Sequence, residues 1–87
     1  MKIQHKYFLR EVSGTWVAVP AGSYVRENSA IVNLNETGAD IFKLLQNGTT
    51  FEEVTETICQ KYNVSADQAE KDVDEFLTDL KKKIEIV

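Results

Sequence analysis

The sequence predicts an α+β domain in which three short antiparallel strands are followed by three helices, in the order β-β-β-α-α-α. Branched and aromatic residues, separated by turn residues, fill the first third of the chain, which is typical of strands. The remainder has apolar residues at helical spacing, with capping residues between the segments. The change occurs within residues 30–45, where a strand is predicted to run directly into a helix.

The size and composition are those of one small folded domain. The chain has 87 residues, of which 43% are hydrophobic, and a net charge of −4. This is enough apolar material for a modest core and too little charge for disorder. We therefore expect residues 1–87 to form a single domain. The single cysteine excludes an internal disulfide, and neither a signal peptide nor an apolar run of ~18 residues is present. These features predict a soluble cytoplasmic protein with no membrane partner.

The strands are predicted from turn and breaker residues. Residues 6–12 and 15–19 are predicted to form the first two strands, joined by a tight turn at Gly14. The second strand is expected to stop at Pro20, because proline cannot donate to a ladder. Residues 30–34 form the predicted third strand. The first connection is too short for a parallel crossover, so the sheet is predicted to be antiparallel.

The first helix is predicted over residues 36–46, because Asn35 stands where an N-cap is needed. Gly38 within this helix costs about 1 kcal/mol relative to alanine. Close approach of another backbone would compensate for that cost. Gly48 is the predicted stop, since glycine tolerates the left-handed conformation.

The other two helices are predicted from two capping boxes, in which the paired side chains satisfy each other's backbone donors. Thr50 and Glu53 form the first box, before a helix that ends near residue 63. Ser65 and Gln68 form the second box and open the longest helix. An apolar stripe at helical period follows in that helix, consisting of Ala66, Ala69, Val73, Phe76, Leu77, Leu80 and Ile84.

The residues that could carry catalysis are few and isolated. His5 is predicted to be an exposed terminal residue, and Cys59 a small thiol at the flank of a buried stripe. One cysteine and one histidine cannot supply the four ligands of a usual zinc site. Trp16 is more typical of core packing than of ligand stacking. We therefore predict that the protein is not an enzyme and needs no cofactor or metal.

Two binding modes remain. A winged-helix DNA-binding regulator would place the third helix in the major groove. The predicted exposed positions of that helix would repel phosphates, however, because they include Asp67, Glu70, Asp72, Asp74, Glu75 and Asp79. In the other mode, an extended peptide pairs with the open edge of the third strand, in a groove against the third helix.

Four motifs in a fixed order resemble the PqqD family. They are VNLNETGA at residues 32–39, GTTFEEV at 48–54, the Tyr-x-Val break at 62–64 and DVDEFLTDL at 72–80. The earlier strands agree in kind, so the resemblance covers nearly the whole chain. The sequence departs from the family at residues 83–87, which continue without the glycine that family members often carry. The path of these last residues is therefore not predicted.

The resemblance implies a winged-helix-like domain that serves as a recognition element for ribosomally made, post-translationally modified peptides. Proteins of this family bind the leader of a precursor peptide. They present its core to a modifying enzyme, commonly a radical SAM enzyme, or to a leader peptidase. The leader lies as an added strand on the third strand, in the cleft against the third helix. The implied partners are therefore a leader peptide and a modifying enzyme, without nucleic acid.

The resemblance also implies which residues form the cleft. The peptide-binding residues carried over by position are Ala30, Ile31, Val32, Asn33, Leu34, Asp72, Val73, Phe76, Asp79, Leu80 and Lys83. The strand residues would pair with the leader, the apolar helix residues would floor the cleft, and the charged residues would form a rim that favours basic leaders. An apolar stripe of this kind is also what a core helix requires. A purely structural subunit and a homodimer through the same open edge remain alternatives.

Overall fold

The computed structural model of the protein describes residues 1–21 and 31–87. Its elements are β1 (Tyr7–Val12), β2 (Thr15–Pro20), β3 (Val32–Leu34), α1 (Glu36–Asn47), α2 (Phe51–Tyr62) and α3 (Ala66–Lys81). The sheet has the order β1-β2-β3, and both pairs of neighbouring strands are antiparallel. The predicted α+β class and element order are therefore confirmed. None of the helices within the described ranges combines the length and apolar character that a membrane crossing requires.

The first two strands form a hairpin whose turn matches the twist of the sheet. Ser13 and Gly14 both have positive φ, at 51° and 83°, and a two-residue turn of this kind favours right-handed strand twist. Pro20, predicted to stop β2, is instead its last residue and pairs with Tyr7. A terminal position tolerates proline, because the ladder bond that proline cannot donate is needed only inside a strand.

The apolar faces of the three helices and one face of the sheet share a single core. Phe42 of α1 is fully buried and meets the ring of Tyr7 edge to face, with ring centroids 5.6 Å apart. The predicted stripe of α3 is largely in the core. Its buried members are Ala69, Val73, Leu77, Leu80 and Ile84. Ala66 is exposed and Phe76 only partly buried, so the stripe reaches the surface at two places.

The predicted N-caps are the observed ones. The side chains of Asn35, Thr50 and Ser65 each accept a hydrogen bond from a backbone N–H of the first helical turn. The two capping boxes are only half formed, which corrects the prediction. The Glu53 carboxylate accepts a hydrogen bond from the hydroxyl of Thr49, and the Gln68 amide donates to Asp72 at 2.8 Å. Both side chains thus bind other side chains rather than the backbone of the capping residue.

The two ends of the chain pair with each other. Residues 2–4 run antiparallel to residues 85–87, and two backbone hydrogen bonds of 2.7 and 2.8 Å join Lys2 and Val87. Ile3 is buried in the core from this position. The pairing supplies the path of the C-terminal residues, which the sequence did not predict.

Candidate functional site

Among the described residues, the outer edge of β3 is open. β3 pairs with β2 on one side, and within residues 1–21 and 31–87 no strand pairs with its other side. Val32 and Leu34 are buried, whereas Asn33 and Ile31 are exposed, with Ile31 at 64% of its surface. This alternation places the first two side chains on the core face and the other two on the outer face of the sheet. Within the described ranges, the backbone on this side of β3 is therefore left for a further strand to pair with.

Two cavities lie side by side along this edge. The first, of about 210 Å³, is lined by Val32, Asn33, Leu34 and Asn35 and by four residues of α3 and its C-terminal extension, Phe76, Asp79, Leu80 and Lys83. The second, of about 320 Å³, is lined by Asn35, Thr37, Gly38, Ile41, Asp72, Glu75, Phe76 and Asp79. Because Asn35, Phe76 and Asp79 line both, the cavities form one depression, which we call the β3–α3 groove.

The groove has a direction. One wall runs from β3 into α1, and the other runs along α3 in the opposite direction. Lys83 lies opposite β3, whereas Asp72 and Glu75 lie opposite the first turns of α1. From Asp72 to Lys83 the helical rise is about 16 Å, at ~1.5 Å per residue. An extended peptide advances ~3.3 Å per residue, so the wall is long enough for about five residues.

Phe76 forms the apolar centre of the groove and depends on Gly38. A Cβ atom at Gly38 would lie 2.9 Å from Cε1 of the Phe76 ring, closer than real Cβ contacts allow. The glycine inside α1 is thus explained by close approach, as predicted. The approaching group is a side chain of α3, however, and not a backbone.

The rim of the groove has opposite charges at its two ends. Asp72, Glu75 and Asp79 are exposed, and Gln68 holds the Asp72 carboxylate by a 2.8 Å hydrogen bond. Asp79 lies 4.0 Å from the ammonium of Lys82. Both of those side chains are largely exposed, so this pair neutralises little of the negative potential. Asp72 and Glu75 lie against α1, Lys83 lies against β3, and Asp79 lies between them where the two cavities meet.

The α1 wall is fixed to α2 through Asp40. Its carboxylate accepts hydrogen bonds from the ammonium of Lys61, at 2.9 Å, and from the hydroxyl of Tyr62. Burial alone would raise the pKa of Asp40, but these two hydrogen bonds and the positive charges of Lys61 and Lys43 together hold the pKa below its ordinary value. Burial, and then the bond to Asp40, raise the pKa of Tyr62. The ionised carboxylate therefore stabilises the packing of α1 on α2.

Most of the predicted site residues come together in this groove. Those that line it are Val32, Asn33, Leu34, Asp72, Phe76, Asp79, Leu80 and Lys83. Ala30 lies outside the described residues. Val73 is fully buried, and Ile31 is exposed but lines neither cavity of the groove.

The groove also contains residues that were not predicted from the sequence. These are Asn35, Thr37, Gly38, Ile41 and Glu75. The glycine inside a helix was a usable signal for one of them, because it indicated a close approach. The others follow only from the way in which α1 lies against α3.

The chemistry that the groove offers is that of binding: an open backbone edge, an aromatic ring and a charged rim. In the part of the chain that the structure describes, no group of three or more His, Cys, Asp or Glu side chains is placed to hold a metal ion. His5, predicted to be exposed, is partly buried and lies 4.0 Å from the carboxylate of Glu85. Cys59 is a partly buried free thiol on α2, as predicted.

Comparisons with known proteins identify a family and a similar solved structure. The family described as coenzyme PQQ synthesis protein D (PqqD) matches residues 16–83. A solved structure described as TbiB1 in complex with the TbiA(beta) leader peptide is similar, with a TM-score of 0.73 and 26% sequence identity over 98% of this chain and 95% of that chain. No curated protein matches the chain. The chain belongs to the PqqD family.

Proposed function

We propose that this domain binds the leader segment of a ribosomally made precursor peptide as an added strand on β3. It presents the rest of the precursor to a modifying enzyme, such as a radical SAM protein, or to a leader peptidase, and catalyses no step itself. The observation that carries the proposal is that the open edge of β3 faces a groove with an apolar centre and a charged rim. Family membership and the leader peptide bound by TbiB1 support it.

Backbone pairing alone gives limited affinity. β3 has three residues, and a backbone hydrogen bond contributes a net ~0.5–1.5 kcal/mol. Micromolar binding requires about −8 kcal/mol. The remainder must come from side chains of the peptide that enter the groove against Phe76 and Leu80. We therefore expect the leader to carry apolar residues at alternate positions, because alternate side chains of a strand face the same side.

The rim adds a preference for charge. The three carboxylates near α1 favour lysine or arginine at one end of the bound segment. Lys83 favours an acidic residue at the other end. A leader with this polarity is expected to bind in one orientation, because reversal would bring like charges together.

Strand addition is tested with ¹⁵N-labelled domain and the leader of a precursor peptide encoded beside this gene. We expect chemical-shift changes in residues 31–38 and 72–83 at micromolar peptide. A set of leaders that are N-methylated at one position each separates strand pairing from side-chain docking. Methylation at alternate residues should weaken binding, because only alternate N–H groups point towards β3. Equal effects at every position, or no shifts at β3, would overturn the binding mode.

The charge preference is tested with a double variant. Asp72→Lys with Asp79→Lys should weaken a basic leader at least tenfold, because it reverses two rim charges. Asp67→Lys with Asp74→Lys is the matched control, since it makes the same change on α3 outside the groove. Equal affinity of both double variants would refute a role for the rim. Shifts on α3 with duplex DNA would favour the winged-helix alternative, which the acidic surface of α3 opposes.

A further inference from the structure

A second groove lies between α2 and α3, apart from the edge of β3. Its volume is about 610 Å³, within the ~300–1,000 Å³ that is usual for binding sites. On α2 its wall extends from Phe51 to Gln60. The lining residues are adjacent pairs that recur every four positions, at 51–52, 55–56 and 59–60. On α3 it is lined by Ala66 and Glu70. We call it the α2–α3 groove.

The floor of the α2–α3 groove is apolar with one unsatisfied polar atom. Phe51, Cys59 and Ala66 supply apolar surface. Thr55 lies between them with 7% of its surface exposed, and its hydroxyl has no hydrogen-bond partner among the described residues. This hydroxyl is covered by the surrounding atoms, so the surface that the floor offers to a ligand is mainly apolar.

The walls of the α2–α3 groove are acidic on both sides. Glu52 and Glu56 lie on the α2 wall and Glu70 on the α3 wall, and all three are exposed. Of the described residues that line this groove, none is a lysine, arginine or histidine. The complementary ligand therefore combines an apolar surface with positive charge.

We propose that the α2–α3 groove docks a basic amphipathic helix of a protein partner. From Phe51 to Gln60 the α2 wall rises about 14 Å, which matches two to three turns of a third helix laid between the two. Apolar side chains at i, i+3, i+4 and i+7 of that helix fill the floor, and its flanking lysines or arginines meet the three glutamates.

The two grooves lie on different sides of α3. At about 100° per residue, Glu70 and Asp72 point about 160° apart around the helix, so a leader and a partner helix do not compete for the same surface. The inference does not depend on the proposed function. If the domain presents a leader, the α2–α3 groove is where the modifying enzyme attaches.

The test uses ¹⁵N-labelled domain and a synthetic 14-residue peptide, acetylated and amidated, with leucines on one helical face and lysines elsewhere. We expect chemical-shift changes in residues 51–60 and 66–70 while those of β3 stay unchanged. A peptide of identical composition with the leucines spread around the helix should bind at least tenfold more weakly. Shifts along β3 instead, or equal binding of both peptides, would overturn the proposal.

Variants identify the contact. Glu56→Lys with Glu70→Lys should weaken the leucine-face peptide about tenfold and leave leader binding unchanged. Asp67→Lys with Asp74→Lys makes the same change in net charge outside the groove and should retain nearly full affinity. An equal loss in both double variants would show attraction by net charge alone. Concentration-dependent shifts in the groove without any peptide would assign it to a second copy of the chain. Either result would refute docking of a basic helix.

Discussion

Gly38→Ala tests whether the shape of the β3–α3 groove depends on one missing Cβ atom. Replacing glycine by alanine inside a helix stabilises it by about 1 kcal/mol. Here the added Cβ would stand 2.9 Å from Cε1 of Phe76 and 3.2 Å from Oδ1 of Asn35. Overpacking of this kind costs ~1–3 kcal/mol. The two effects partly offset each other, so the variant should lie between unchanged and about 2 kcal/mol less stable.

The effect on binding should be larger than the effect on folding. Phe76 is partly buried and lines both cavities of the groove, so the space beside its ring is the groove itself. A leader that packs against this ring should lose about tenfold in affinity, because the displaced ring occupies its site. Urea unfolding measures the change in stability. Leader affinity can be followed by the fluorescence of Trp16, which is the single tryptophan and the cross-strand neighbour of Leu34.

A double-mutant cycle separates the steric effect from helix propensity. Phe76→Leu removes the Cε1 atom and keeps an apolar side chain, so Gly38→Ala in that background should stabilise the domain. In the Phe76→Leu background, Gly38→Ala should also lower leader affinity by less than it does in the natural background. If Gly38→Ala lowers stability equally in the natural background and in the Phe76→Leu background, the contact does not explain the glycine. Full leader affinity in the single variant would refute the reasoning directly.

Two further predictions concern stability. Asp40→Asn should cost about 1 kcal/mol at pH 7, because it removes a charge-assisted contact between α1 and α2. The pKa of Asp40 is lowered from 3.8, so the wild-type advantage is present above pH 3.8 and should vanish as pH falls through the lower folded value. Urea unfolding between pH 2 and 7, with Asp74→Asn as control, checks this, and a constant difference would contradict it. Thr55→Val should stabilise the domain by about 1 kcal/mol, since it replaces an unpaired buried hydroxyl by a methyl group. A lower urea midpoint would show that the hydroxyl is satisfied.

The features that the sequence predicted well are local ones. Asn35, Thr50 and Ser65 are the N-caps in the structure because a cap is determined by a few consecutive residues. The hairpin follows from Gly14 for the same reason. The order of strands and helices then leaves few arrangements, since short connections force neighbours together.

The features that the sequence did not predict depend on contacts between distant segments. Val73 and Phe76 belong to one apolar stripe, and periodicity does not say that the first is in the core and the second in the groove. Glu53 and Gln68 are suitably placed for capping boxes, but each side chain hydrogen-bonds to another side chain instead. The pairing of residues 2–4 with 85–87 has no periodic signal, because each segment is too short to show one.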